Sequence, residues 1–164
     1  MDANTRNAWL RASDAGLLRE CREERYRASG PGGQRRNKVE TAIRLRHGPS
    51  GVAAHAADSR SPEGNRARAV ARLRERIAFE VRASFSDVPA EFAAQRGRDG
   101  SLSVNPKNRN FPLIAATALD ALAAGSGSYA AAAQLLGVST SQLLKFLQSD
   151  RELWRAVSEG RPGG

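Results

Sequence analysis

The residues best suited to chemistry in this 164-residue chain lie in one short run, Ser29-Gly30-Pro31-Gly32-Gly33-Gln34-Arg35-Arg36-Asn37-Lys38. Glycine has no Cβ, so Gly32 and Gly33 can take positive φ and let the backbone approach a ligand closely. Pro31 fixes its own φ and favours a defined turn over a floppy loop. A backbone of that shape can aim the Gln34 amide N–H at an oxygen that gains negative charge as an ester is cleaved, the task of an oxyanion-hole donor. One such donor is worth about 2.7–4 kcal/mol. Between Ala28 and Val39 there is no Asp, Glu, His or Cys, so the run brings no general base of its own. Its glycines do not precede a Lys-Ser/Thr pair, which excludes a phosphate-cradling P-loop. Arg35, Arg36, Asn37 and Lys38 flank the triplet and are suited to holding phosphates.

Little else in the composition competes with this run. A single cysteine, Cys21, excludes an internal disulfide framework, and with only His47 and His55 beside it the chain has little for a metal site. We expect Cys21 to be a half-buried small hydrophobe and both histidines to be strand residues without chemistry. Hydrophobic residues at 40% allow a modest core, while aromatics at 5% argue against an aromatic-rich ligand pocket. The formal charge of +9 and a pI near 11.1 favour an anionic partner, nucleic acid first. Residues 1–110 hold 22 basic and 13 acidic side chains, whereas residues 111–164 hold four of each. The whole excess therefore lies in the first two thirds, and the asymmetry predicts two modules with different tasks. No apolar run approaches the roughly 18 residues that span a bilayer. The first residues lack a signal-type apolar stretch, and Asp2 and Asp14 oppose a transit peptide. A cytoplasmic protein with no membrane partner is expected.

The elements that must hold the run follow from periodicity. Ser13 or Asp14 can cap a short helix reaching Leu18 and Glu20, and residues 21–27 read as a strand. Residues 41–47 alternate Ile43, Leu45 and His47 against Arg44 and Arg46, the period of a half-buried strand. A Gly48-Pro49-Ser50-Gly51 turn returns residues 52–57 as the second strand of a hairpin. Ser61-Pro62 opens a long helix. Val70, Leu73, Ile77 and Val81 form its buried face, with Arg66, Arg68, Arg72, Arg74, Arg76 and Arg82 on the remaining surface. Residues 84–110 are polar and read as a linker or irregular arm. The rest is helical: residues 113–124 with Ile114, Ala118 and Leu122 on one stripe, then 129–136 and 139–147 around Gly137, and a last helix at 151–158.

The run resembles the GGQ motif of class I peptide-chain release factors, matching S-G-x-G-G-Q-x-x-N-K at every fixed position. The resemblance continues through the hairpin TAIRLRHGPSGVAAHA, Arg60-Ser61 and the Asn65-Arg66 helix start, covering about residues 21–82. The chain departs from the family at Arg35-Arg36, where His or Val is common, and at Ser61-Pro62-Glu63, where the family has Ser-Gln-His. Both departures touch the basic surface and leave the triplet intact. The resemblance implies that Gly32, Gly33 and Gln34 are the catalytic residues, acting on peptidyl-tRNA at the peptidyl-transferase centre of the large ribosomal subunit. It implies further that ribosomal and tRNA groups organise the attacking water and that the glutamine side chain restricts the nucleophile to water. The RNA-binding set it implies is Arg27, Ser29, Arg35, Arg36, Asn37, Lys38, Arg60, Asn65, Arg66 and Arg68, directed at tRNA and rRNA.

The tail carries Ala133-Gln134-Leu135-Leu136-Gly137-Val138-Ser139, which looks like the A-x-x-L-G-V-S signature of helix-turn-helix units. Its second helix offers only Ser139, Thr140, Gln142 and Lys145 on a module of zero net charge. A DNA-reading helix presents more basic and amide groups, so packing or ribosome docking is the expected role. The expected fold is α+β: a GGQ domain at 12–83 with an antiparallel hairpin packed on a long basic helix, a linker at 84–110, and an all-α module at 111–159. No codon-reading Pro-x-Thr or Ser-Pro-Phe tripeptide occurs. The expected activity is therefore codon-independent release of stalled peptides, by a monomer without cofactor or metal. Its rival is a non-catalytic RNA- or DNA-binding regulator, in which the basic domain is only a platform.

Overall fold

The computed structural model describes residues 1–27 and 40–160. In chain order its elements are α1 (Ala3–Arg11), α2 (Asp14–Arg19), β1 (Cys21–Tyr26), β2 (Ala42–His47), β3 (Ala53–Ala56), α3 (Pro62–Glu80), α4 (Ala90–Ala93), α5 (Phe111–Ala124), α6 (Tyr129–Leu136), α7 (Thr140–Leu147) and α8 (Arg151–Glu159). The fold is α+β, with one antiparallel sheet in the order β1-β2-β3 and a helical C-terminal part. The chain forms two compact units, Ala12–Ile77 and Met1–Arg11 with Ala78–Gly164.

In the unit Ala12–Ile77, Ser13 caps α2 by accepting a hydrogen bond from Gly16 N–H at 3.0 Å. Strand β2 shows the predicted alternation, with Ile43, Leu45 and His47 buried and Arg44 and Arg46 exposed. Cross-strand partners share a face, so Glu23 opposite Leu45 and Arg25 opposite Ile43 lie on the side of the buried residues. Glu23 reaches Arg66 of α3, which places α3 over that side. Val70, Leu73 and Ile77 of α3 are buried, as their spacing predicts, whereas Val81 falls beyond the helix and is only half-buried. Arg72 and Arg76 donate to the His55 and Ala53 carbonyls of the edge strand β3, which occupies groups that would otherwise be open to another strand.

Arg74 departs from the expected surface position. It is only 6% exposed and donates to the Ala12 carbonyl at 2.9 Å and to Asp14 Oδ1 at 2.7 Å. The helical period puts it beside Leu73 and Ala78. A long side chain with five donors can be buried there because an acceptor and a carboxylate meet it.

In the other unit α5 is buried on all sides from Phe111 to Leu122, more than the single stripe of the sequence reading. Around it cluster Phe92, Leu102, Leu136, Leu143, Leu147, Leu153 and Val157, and Phe111 meets Phe146 edge-on at 5.8 Å. Residues 84–110, read as a linker, contain α4 and an Arg96–Leu102 bridge, and they bury Phe92 and Leu102 in this core. Inside the unit, Asp120 pairs with Arg6 at 2.6 Å and accepts from Ala83 N–H at 3.0 Å. Arg82 Nη1 lies 3.5 Å from the same carboxylate without a hydrogen bond, and burial pushes this guanidinium down to about 10. The α6–α7 joint has the predicted form, with Gly137 left-handed at φ 66° and Ser139 capping α7.

Candidate functional site

Ser29, Gly32, Gly33, Gln34, Arg35, Arg36, Asn37 and Lys38 lie outside the described residues. What the structure describes is the frame from which they are strung. Tyr26 and Ala42 are paired at the end of the β1–β2 ladder, so the run connects two hydrogen-bonded neighbours. On the stems, Arg27 lies 3.5 Å from Glu40, both well exposed. Such a pair contributes little to stability, and it leaves the Arg27 guanidinium accessible.

Asn65 is the main correction to the expected RNA-binding set. It is fully buried in the first turns of α3, on the same i, i+4 stripe as Ala69, Leu73 and Ile77. Its Nδ2 donates to the Thr41 carbonyl at 2.7 Å and to the Ser59 carbonyl at 2.8 Å, and its Oδ1 accepts from Ser59 N–H at 2.8 Å. Both donor positions and the acceptor are thus used inside the protein. Asn65 pins the returning stem of the run to the start of α3. That i, i+4 stripe was the signal by which the sequence could have placed it in the core. Ser61 completes the helix start: its hydroxyl accepts from Gly64 N–H at 3.2 Å and donates to Glu63 at 2.8 Å.

Arg66 is also committed within the chain. Its Nε and Nη2 bind both oxygens of Glu23 at 2.7 and 2.8 Å, the bidentate geometry that gives this pair direction as well as charge. The hydrogen bonds from Arg66 hold the Glu23 carboxyl below its ordinary range, and the same pair raises the Arg66 guanidinium. Arg60 and Arg68 are exposed and make no ion pair among the described residues. Of the four candidates at the helix start, these two are available to a partner.

His47 is buried and structural. Ser50 N–H donates to its Nδ1 at 3.3 Å and Ser50 Oγ lies 2.7 Å from the same nitrogen, while Nε2 faces Glu20 at 3.3 Å. Nδ1 is therefore the acceptor and the proton sits on Nε2, an assignment from the hydrogen-bond network. Burial lowers the His47 pKa, with Glu20 opposing. The arrangement locks the β2–β3 turn, and His55 is an exposed strand residue.

The sequence matches the RF-1 domain family over residues 18–112. The chain belongs to this family. The matched segment begins in α2, runs through the sheet and α3, and ends at the start of α5, so it extends beyond residues 21–82 on both sides. Two similar proteins are the peptide chain release factors 1 of Rhodospirillum rubrum and Leptothrix cholodnii. The first is 34% identical over 94 residues, covering 57% of this chain and 27% of that protein. The second is 41% identical over 96 residues, covering 57% and 26%. Peptide chain release factor 2 of Paramagnetospirillum magneticum is 50% identical over 58 residues, 35% of this chain and 16% of that protein. The chain thus spans about a quarter of the length of the first two relatives. Within this RF-1 domain, β1 and the stem leading into β2 are held to α3 by the Glu23–Arg66 pair and by Asn65. Among the described residues no helix is long and apolar enough to cross a membrane.

Proposed function

We propose that this RF-1 domain protein promotes hydrolysis of the peptidyl-tRNA ester on the ribosome without reading a stop codon. The observation that carries the reading is the ordered S-G-x-G-G-Q-x-x-N-K run at residues 29–38 inside the family match. In this reading Gly32 and Gly33 allow close approach of the backbone to the ester, and the Gln34 N–H stabilises the oxygen that becomes negative. Water adds to the ester carbonyl; the ester C–O bond then breaks, leaving a free peptide carboxyl and a tRNA hydroxyl. Between Ala28 and Val39 there is no Asp, Glu, His or Cys to take the proton, so that task falls to the ribosome and tRNA. Arg27, Ser29, Arg35, Arg36, Asn37, Lys38, Arg60 and Arg68 engage RNA phosphates, which position without selecting sequence. Residues 12–83 carry the hydrolytic function, the helical module at 111–159 docks on the ribosome, and the protein works in the cytoplasm.

The experiment measures labelled peptide released from three matched ribosome complexes: stop codon in the decoding site, sense codon with mRNA beyond it, and truncated mRNA. Release should be comparable with and without a stop codon. Gly33→Ala should lower it by roughly 10²–10³-fold, the usual loss on disturbing one oxyanion donor, without changing the melting temperature. Near-normal release by folded Gly33→Ala overturns the assignment of the GGQ run. A large preference for the stop-codon complex overturns codon independence. RNA binding without release on any complex favours the regulator.

A further inference from the structure

The sheet has a second face, turned away from the side that α3 covers. Because paired residues share a face, it carries Arg22, Glu24 and Tyr26 from β1, Arg44 and Arg46 from β2, and Ala53 and His55 from β3. Arg22, Glu24, Arg44, Arg46 and His55 are exposed. The charge is one-sided, with three arginines against one glutamate. Arg22 and Glu24 form a loose, solvated pair at 3.4 Å. Arg44 and Arg46 have no ion pair among the described residues, and the Arg44 guanidinium sits 5.3 Å over the Tyr26 ring. That contact orients the cation without neutralising it. In the ladder Arg22 lies directly opposite Arg46, and Glu24 directly opposite Arg44. Opposite charges in that relation stabilise a sheet and like charges destabilise it, so the Arg22–Arg46 pairing costs stability.

We infer that this face is a docking surface for the phosphate backbone of RNA. The inference rests on the ribosomal reading above and assigns it a second contact, built on the sheet and separate from the loop residues and from Arg60 and Arg68. Guanidinium groups match phosphate oxygens in forked geometry. The face offers no large exposed apolar side chain to anchor a protein partner, and Tyr26 is already covered by Arg44. A row of arginines on a rigid ladder holds its spacing, so the ordering cost on binding is low.

The test is binding of wild type and Arg44→Gln/Arg46→Gln to protein-free large-subunit rRNA and to intact large subunits, across a salt series. For rRNA, the double variant should lower the slope of log K against log salt by about 2, one for each lost phosphate contact. Between 1 M and 0.1 M salt that change accumulates to a loss of up to about a hundredfold in affinity. Arg22→Gln alone removes one cation, already loosely paired with Glu24, and should lose less. Arg19→Gln/Arg98→Gln, two exposed arginines outside every RNA-binding set assigned here, removes the same net charge and should leave the slope unchanged. An unchanged slope in the folded double variant overturns the inference, as does an equal loss in the Arg19→Gln/Arg98→Gln control. Loss on intact subunits with none on rRNA assigns the face to a ribosomal protein and also overturns it. The two readings separate cleanly. Wild type that releases no peptide, yet binds rRNA through Arg44 and Arg46, leaves the surface standing and removes the proposed function. Normal release with an unchanged double variant does the reverse.

Discussion

Replacing Asn65 with alanine removes three hydrogen bonds at a fully buried position and leaves the Thr41 carbonyl and both backbone groups of Ser59 without their partner. A net contribution of about 0.5–1.5 kcal/mol for each hydrogen bond gives a loss of about 1.5–4.5 kcal/mol. The bonds are part-buried, so water can reach some of the freed groups, and about 3 kcal/mol is the central expectation. If the chain melts as one transition, that loss lowers the melting temperature by about 6–12 °C. Asn65→Asp sharpens the test. It keeps the acceptor for Ser59 N–H but turns oxygen lone pairs toward two carbonyls. Burial and those carbonyls would raise the pKa of the new carboxyl above its unfolded value. Its folded state then binds more protons than the unfolded state, so the variant gains stability as pH falls through that raised value. Thermal unfolding followed by circular dichroism at pH 5 and 7.5 measures both effects. Amide exchange at Ala42 and Ile43 reports whether the returning stem frays first. If Asn65→Ala stays within about 0.5 kcal/mol of wild type, the range of an ordinary surface change, the claim that Asn65 pins this stem is wrong.

Two further outcomes follow from buried charge. The folded state lowers the His47 pKa below 6.5, so the unfolded chain binds more protons in the window below 6.5 and stability is lost as pH drops through it. His47→Asn should flatten the unfolding free energy between pH 7.5 and 5.5, and an identical slope in the variant would rule His47 out as its source. Asp120 holds buried Arg6 and faces Arg82. Asp120→Ala strands these cations and should cost about 3–5 kcal/mol, read by denaturant unfolding, whereas a neutral outcome would mean that water already solvates the cluster.

What the sequence determined by itself is local. The GGQ run could be picked out because it is a motif of residue types in an unbroken order. The β2 alternation, the α3 stripe of Val70, Leu73 and Ile77, and the Gly137 joint were legible because each period or cap is set within a few residues. The tertiary structure decided where the polar side chains go. Arginines along α3 look alike in sequence, yet Arg74 is buried on Ala12 and Asp14, Arg66 is bound to Glu23, and Arg68 stays exposed. The partners of Arg74 and Arg66 lie tens of residues away, and periodicity carries no information about them. Asn65 reads as a polar residue at a helix start until the Thr41 and Ser59 backbone groups are brought to it. Phe92 sits in a stretch too polar to announce a core, and only packing beneath α5 buries it. Buried polar groups persist where their partners converge, and convergence is a property of the fold.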